Sequence, residues 1–210
     1  MTQTRMIILL LAALAGLVLA GAIAYFQLSA DVKSEPGDLI AVTSDAFGGP
    51  FSLVDQNNQP VSEKSWPDQY KLIYFGFTYC PAICPTELGK ITAAMNTLGD
   101  VGKKIQPIFV TVDPERDTPA KMKDYVTLFH PSLVGLSGTP EQVKEMLKAY
   151  KIYAAKRQDP SMSDYTMDHS SFIYFIAPDG RLLQIFKMDD DAAAMSKTIS
   201  QWMAQESAQK

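Results

Sequence analysis

Two cysteines, Cys80 and Cys84, are the only ones in the chain, and they stand within Phe77-Thr78-Tyr79-Cys80-Pro81-Ala82-Ile83-Cys84-Pro85. The apolar run 71–77 before them reads as a buried core strand. The run from Pro85 reads as a helix, with Leu88, Ile91, Met95 and Leu98 at helical spacing. Both thiols therefore fall at a strand-to-helix junction. A helix N-terminus carries partial positive charge and favours thiolate over thiol. Thiolate is the form that attacks disulfides and the form that binds soft metals. Three residues separate the cysteines, about one helical turn, so both sulfurs share one side and can close a disulfide or clamp one ion.

The pattern around the pair sets the fold class. Residues 51–54 and 60–62 flank Asp55-Gln56-Asn57-Asn58-Gln59 as a hairpin. Beyond the thiols, strands read at 105–112 and 133–136, with helices at 119–130 and 139–150. A short strand at 152–155 precedes a polar stretch, 156–168. Residues 171–177 and 181–186 form a second hairpin about Pro178-Asp179-Gly180, and a helix at 189–202 closes the chain. A thiol pair after the first core strand of such a series predicts an α/β, thioredoxin-like sandwich with an added N-terminal β-hairpin.

The N-terminus stands apart from that domain. Residues 6–26 hold no charged residue and no Ser, Thr, Asn or Gln, enough to cross a hydrocarbon core as a helix. Arg5 precedes the run and Asp31, Lys33 and Glu35 follow it, which places the domain outside the cytoplasm. A cleaved signal peptide with Ala22-Ile23-Ala24 as its small-x-small site is the rival reading, and it exports the domain too. We expect a membrane anchor over 1–28, a tether over 29–46 and the thioredoxin-like domain over 47–210, in the bacterial inner membrane with the domain periplasmic. Net charge is −4 and no Lys/Arg run occurs, which argues against a nucleic-acid partner.

In an oxidising compartment an idle thiol pair would close into a structural disulfide. A loop this small constrains the unfolded chain little, so stability is a weak reason for the pair. Thioredoxins place a proline before the strand that faces their thiols. Here Tyr165-Thr166-Met167-Asp168-His169-Ser170 holds none, and His169 stands in that place. Two thiolates and an imidazole make a soft, open donor set that suits copper in either oxidation state. The other histidine, His130, precedes Pro131 and reads as a cap or surface group.

Four segments then carry a family resemblance. They are Gly48-Gly49-Pro50-Phe51 with Leu53-Val54-Asp55-Gln56, the stretch Thr78 through Pro85, Val112-Asp113-Pro114-Glu115-Arg116-Asp117-Thr118-Pro119, and Asp168-His169-Ser170. The chain resembles the SCO/SenC family of copper-binding assembly factors for cytochrome c oxidase. The resemblance implies that Cys80, Cys84 and His169 bind one copper, Cu(I) or Cu(II), with Cys80 and Cys84 also a redox pair. It implies either a metallochaperone, not a turnover enzyme, that helps deliver copper to the dinuclear copper site of oxidase subunit II, or a membrane-anchored reductase that keeps that site's cysteines reduced. A periplasmic thioredoxin-like reductase or a copper donor would be a further partner.

Two other functions fit the same fold. A thiol–disulfide reductase would cycle Cys80 and Cys84 without metal and has no need of His169. A thiol peroxidase would need one activated cysteine with Thr and Arg nearby; Thr78 and Arg116 are present, but the Pro-x-x-x-Thr-x-x-Cys run is absent. Asp113 and Asp117 lie near the thiol end of the sheet; either Asp113 tunes the thiols or shapes a partner surface, or the two serve as turn and cap residues. Asp168 either supports His169 or faces solvent, and Tyr79 either shields the thiols or packs. Met162 and Met167 either offer a transient thioether or fill space.

Overall fold

The computed structural model of the protein describes residues 47–158 and 164–208, besides Gly16. The anchor and tether expected over 1–46 lie outside the described residues. Among the described residues no helix is long and apolar enough to cross a membrane.

Among the described residues from 47 on, nine strands and four α-helices follow one another: β1 (Ser52–Asp55), β2 (Pro60–Ser62), β3 (Tyr70–Gly76), α1 (Ile83–Leu98), β4 (Ile105–Thr111), α2 (Pro119–Val126), β5 (Val134–Ser137), α3 (Pro140–Ala149), β6 (Ala154–Arg157), β7 (Thr166–His169), β8 (Ile173–Ile176), β9 (Leu182–Phe186) and α4 (Ala192–Ala208). Strand β3 is buried from Lys71 to Gly76, and β4 over its full length. Such continuous burial belongs to strands covered on both faces. Seven strands form one sheet in the order β2-β1-β5-β4-β3-β8-β9. The neighbours β3, β4 and β5 run parallel, while β8 and β9 on one side and β1 and β2 on the other run antiparallel. Tyr74, Phe75, Phe109 and Phe175 fill the core without exposure. This is the thioredoxin-like sandwich, and the N-terminal hairpin extends its sheet beyond β5.

Helix α1 starts at Ile83, two residues earlier than expected, so Pro85 is its third residue. First-turn amides have no intrahelical partner, so a proline is tolerated there. The helix buries Cys84, Leu88, Ile91, Met95 and Leu98, one stripe at helical spacing that begins with a thiol. It packs against α4. Helix α2 ends at Val126 instead of His130, because Leu128 and Phe129 turn back to carbonyls only three residues earlier. Thr139 and Gln142 close a capping box on α3. Of the three aspartates before α4 only Asp191 caps it, accepting from the Ala194 amide at 2.7 Å, and the helix outruns Trp202 by six residues.

The largest departure lies in the stretch expected to be polar loop. Residues Thr166–His169 form β7, paired antiparallel with β6 in a ribbon separate from the main sheet. The sequence Thr-Met-Asp-His has too little apolar alternation to announce a strand. The ladder with Ala154–Arg157 creates it, and it sets His169 opposite Ala154.

Candidate metal centre

Helix α1 has no side-chain cap at Ala82. The sulfur of Cys80 takes that role, accepting the Cys84 amide hydrogen at 3.3 Å. A hydrogen bond from the Cys84 thiol, joined by amides of the first turn, holds the Cys80 thiol well below its ordinary range, although partial burial opposes this. Cys84 moves the other way. Its hydrogen bond to Cys80 and its burial both keep it protonated. The two thiols are free and unequal: Cys80 half-buried and thiolate-prone, Cys84 fully buried at the head of the α1 stripe.

Cys84 is ringed by specific neighbours. The Tyr74 hydroxyl donates to its sulfur at 3.6 Å. Gly76 lies against it, and a Cβ there would stand 2.9 Å from Sγ. His169 Nε2 lies 3.8 Å from the same sulfur. His169 Nδ1 lies 3.0 Å from the Ser170 carbonyl oxygen, which can only accept, so Nδ1 donates there and Nε2 is the ring nitrogen turned to the sulfur. The rings of Phe77 and Tyr74 stand edge-on to the imidazole at 5.8 and 6.3 Å.

Cys80 and His169 thus each approach Cys84, beyond the C-terminal end of β3. Among the described residues no group of three or more His, Cys, Asp or Glu side chains stands close enough together to hold a metal ion as it is. The donor set still fits a soft ion. A spacing of 3.8 Å can be spanned by one ion at about 2.3 Å from sulfur and about 2.0 Å from nitrogen, typical lengths for thiolate and imidazole ligands of zinc.

Several residues work around the site in ways the sequence did not assign. Asp117 is buried and accepts the Thr78 amide at 3.0 Å, the Thr78 hydroxyl at 2.5 Å and the Thr111 hydroxyl at 2.7 Å. It therefore grips the thiol loop two residues before Cys80; Thr118, not Asp117, caps α2. Burial pushes the Asp117 carboxyl up, against the pull of these donors. Asp113 pairs with Arg116 and accepts the Tyr165 hydroxyl. The cue for this cluster was Asp-x-x-Arg-Asp beyond a core strand, and for Tyr74 a hydroxyl inside an apolar strand.

The remaining candidates fall outside the centre. Asp168 pairs with Arg157 at 3.3 Å, and the imidazole is oriented by the Ser170 carbonyl instead. Met167 packs half-buried against the core, and Met162 lies outside the described residues. Tyr79 is 47% exposed, stacked on Arg116. His130 contacts Ser132 through Nδ1 at 2.7 Å in a surface turn.

Comparison with known proteins decides the family. A family model described as SCO1/SenC matches residues 41–204. The chain belongs to the SCO1/SenC family. Protein sco1 of Schizosaccharomyces pombe is 36% identical over 203 residues, covering 94% of this chain and 77% of that protein. Mitochondrial Protein SCO2 of Saccharomyces cerevisiae is 41% identical over 167 residues, covering 78% of this chain and 56% of that SCO protein. The chain thus spans little more than half of the budding-yeast relative. Among solved SCO structures, copper-bound ScoI of Bradyrhizobium japonicum superposes with a TM-score of 0.69 at 41% identity, over 74% of this chain and 99% of that one.

Proposed function

We propose that the protein is a copper metallochaperone in which Cys80, Cys84 and His169 hold one copper per chain, as Cu(I) or Cu(II). Its cargo would go to the dinuclear copper site of cytochrome c oxidase subunit II. The observation that carries this reading is the approach of His169 to Cys84 across 85 residues of chain, with Nε2 3.8 Å from the sulfur and Nδ1 on the Ser170 carbonyl. Disulfide exchange makes no use of such an imidazole, whereas a thiolate–imidazole set is a copper site. The copper-bound relative supports the choice of metal. Residues 1–28 would anchor the chain in a bacterial inner membrane and 29–46 would tether the domain, 47–210, on the periplasmic side. There it would meet a copper donor or a thioredoxin-like reductase.

The test is an anaerobic copper titration of the reduced protein. One copper per chain should survive desalting, and the Cu(II) form should show strong sulfur-to-copper charge-transfer absorption. Complete loss of copper on desalting removes the chaperone reading. In cells, deletion should lower the activity of a dinuclear-copper oxidase most sharply when copper is scarce.

The inequality of the thiols favours a second reading, a membrane-anchored reductase of the target's cysteines. The Cys80 thiolate would attack a target disulfide and form a mixed disulfide. Cys84 would then displace the target's thiol, leaving the target reduced and Cys80–Cys84 oxidised until a periplasmic dithiol restores them. His169→Ala separates the two functions: exchange should persist while Cu(II) binding falls.

A further inference from the structure

The loop between β4 and α2 touches both halves of the candidate centre. On the thiol side, Asp117 holds Thr78, and the Arg116 guanidinium lies 4.7 Å from the Tyr79 ring, next to Cys80. On the histidine side, the same guanidinium lies 3.7 Å over the Tyr165 ring, and Nη1 donates to the Tyr165 carbonyl at 2.9 Å. Tyr165 immediately precedes β7, the strand that ends at His169. Arg116 also faces Phe77 at 6.0 Å, and the Phe77 ring stands edge-on to the imidazole.

The guanidinium is itself fixed. Its side chain is 14% exposed, and Nε donates to Asp113 Oδ2 at 2.5 Å. Asp113 is buried and accepts the Tyr165 hydroxyl through its other oxygen at 2.8 Å. Arg116, Asp113 and Tyr165 therefore close a ring of contacts, with Asp164 at 3.4 Å as an outer partner. The other strand of the ribbon is held to the same loop by Lys156, which pairs with Glu115 at 2.6 Å and lies 4.6 Å over the Tyr165 ring. A planar, five-donor fork can stack on two rings while bonding in its own plane. A lysine ammonium, a point charge, cannot do both.

We propose that Arg116 is a positioning residue that sets where His169 stands relative to the thiols, and thereby the preference of the site for Cu(II) over Cu(I). The inference rests on Cys80, Cys84 and His169 being the copper ligands. Two thiolates suffice for Cu(I), a soft ion, whereas Cu(II) needs the nitrogen donor. A residue that places the imidazole but leaves the thiols in register should therefore act on one oxidation state. Besides the Arg116–Tyr79 contact the thiol loop has supports that do not involve Arg116, the bonds of Thr78 to Asp117 and the Cys84 amide on Cys80 Sγ.

The test uses the full-length protein with Arg116→Lys, which keeps the charge beside buried Asp113, and with Tyr165→Phe, which removes one hydroxyl. Cu(I) and Cu(II) affinities are measured separately by chelator competition, alone and combined with His169→Ala. Arg116→Lys should weaken Cu(II) binding about 10- to 100-fold, the range for partners that orient metal ligands, and shift the charge-transfer spectrum toward that of His169→Ala. Cu(I) affinity should stay within about threefold, and Tyr165→Phe should act in the same direction but less. In the His169→Ala background the Arg116→Lys effect should vanish. Equal weakening of both oxidation states, or an effect that survives without His169, overturns the proposal. If His169→Ala weakens Cu(II) binding but Arg116→Lys does not, the positioning role alone fails. If His169→Ala leaves Cu(II) affinity unchanged, the ligand assignment fails and takes the positioning role with it.

Discussion

The hydroxyl of Tyr74 donates to the sulfur of Cys84 across 3.6 Å, from within the strand that leads to the thiol loop. A hydrogen bond to a ligating sulfur withdraws electron density from it and is one of the levers that tune redox potential. Tyr74→Phe should therefore lower the reduction potential of bound copper and shift its charge-transfer band, with one copper still bound per chain. The fold should lose about 1 kcal/mol, the worth of one hydrogen bond. Redox titration and denaturant unfolding of the same variant check both halves.

Gly76→Ala should disturb the site through packing alone. The added Cβ would stand 2.9 Å from Cys84 Sγ, from Phe109 Cε2 and from Tyr74 Cε1, and all three residues are fully buried. We expect a stability loss of about 1–3 kcal/mol, the usual cost of overpacking, together with weaker copper retention. A denaturant midpoint equal to wild type would show that the neighbours yield more easily than their burial indicates.

The thiols were legible because their setting is local. A buried strand, two cysteines one turn apart and a helix can be read within about twenty residues. The heptad-like stripe that buries Cys84 starts at the cysteine itself, which is why the helix begins earlier than Pro85 suggests. His169 was legible as a lone histidine standing where thioredoxins carry proline, but β7 beneath it was not. Its four residues gain their extended form from pairing with β6. Asp117 and Arg116 were similarly opaque. Whether a loop aspartate caps the next helix or grips a hydroxyl 39 residues upstream depends on tertiary packing, which leaves no spacing to read.

The inequality of the thiols predicts selective chemistry. In the reduced, metal-free protein, iodoacetamide should modify Cys80 well before Cys84. The folded-state pKa of Cys80 is lowered, so its thiolate persists as pH falls below the ordinary cysteine range of about 8.5. Its alkylation rate should therefore change little between pH 8 and pH 7, where an unperturbed thiol loses most of its reactivity. The sign for stability follows: this contribution is present above the unfolded-state pKa and is lost as pH falls through the lower folded-state value. Peptide mapping after timed alkylation at each pH provides the measurement.

Oxidation should switch copper binding off. A Cys80–Cys84 disulfide presents no thiolate, and a soft metal site requires deprotonated sulfur. Protein whose disulfide is verified by mass spectrometry should retain no copper after desalting, and reduction should restore one per chain. Equal retention by the oxidised form would place the copper elsewhere on the molecule.

The separation of 85 residues between Cys84 and His169 also sets an order of events as the chain folds. The sulfurs become neighbours when the first turn of α1 forms, a local step. The imidazole arrives only after β6 and β7 have paired and the ribbon has come to rest against the thiol loop. A contact so distant in sequence has a loop-closure entropy to overcome before it rewards the chain, which a contact one turn away does not. A half-folded chain therefore displays a two-sulfur site, open to Cu(I) or to oxidation, but it has no nitrogen donor to offer. If Cys80, Cys84 and His169 hold copper together as proposed, three-donor coordination belongs only to a chain whose β6–β7 ribbon has reached the thiols, and the bound metal reports that arrival.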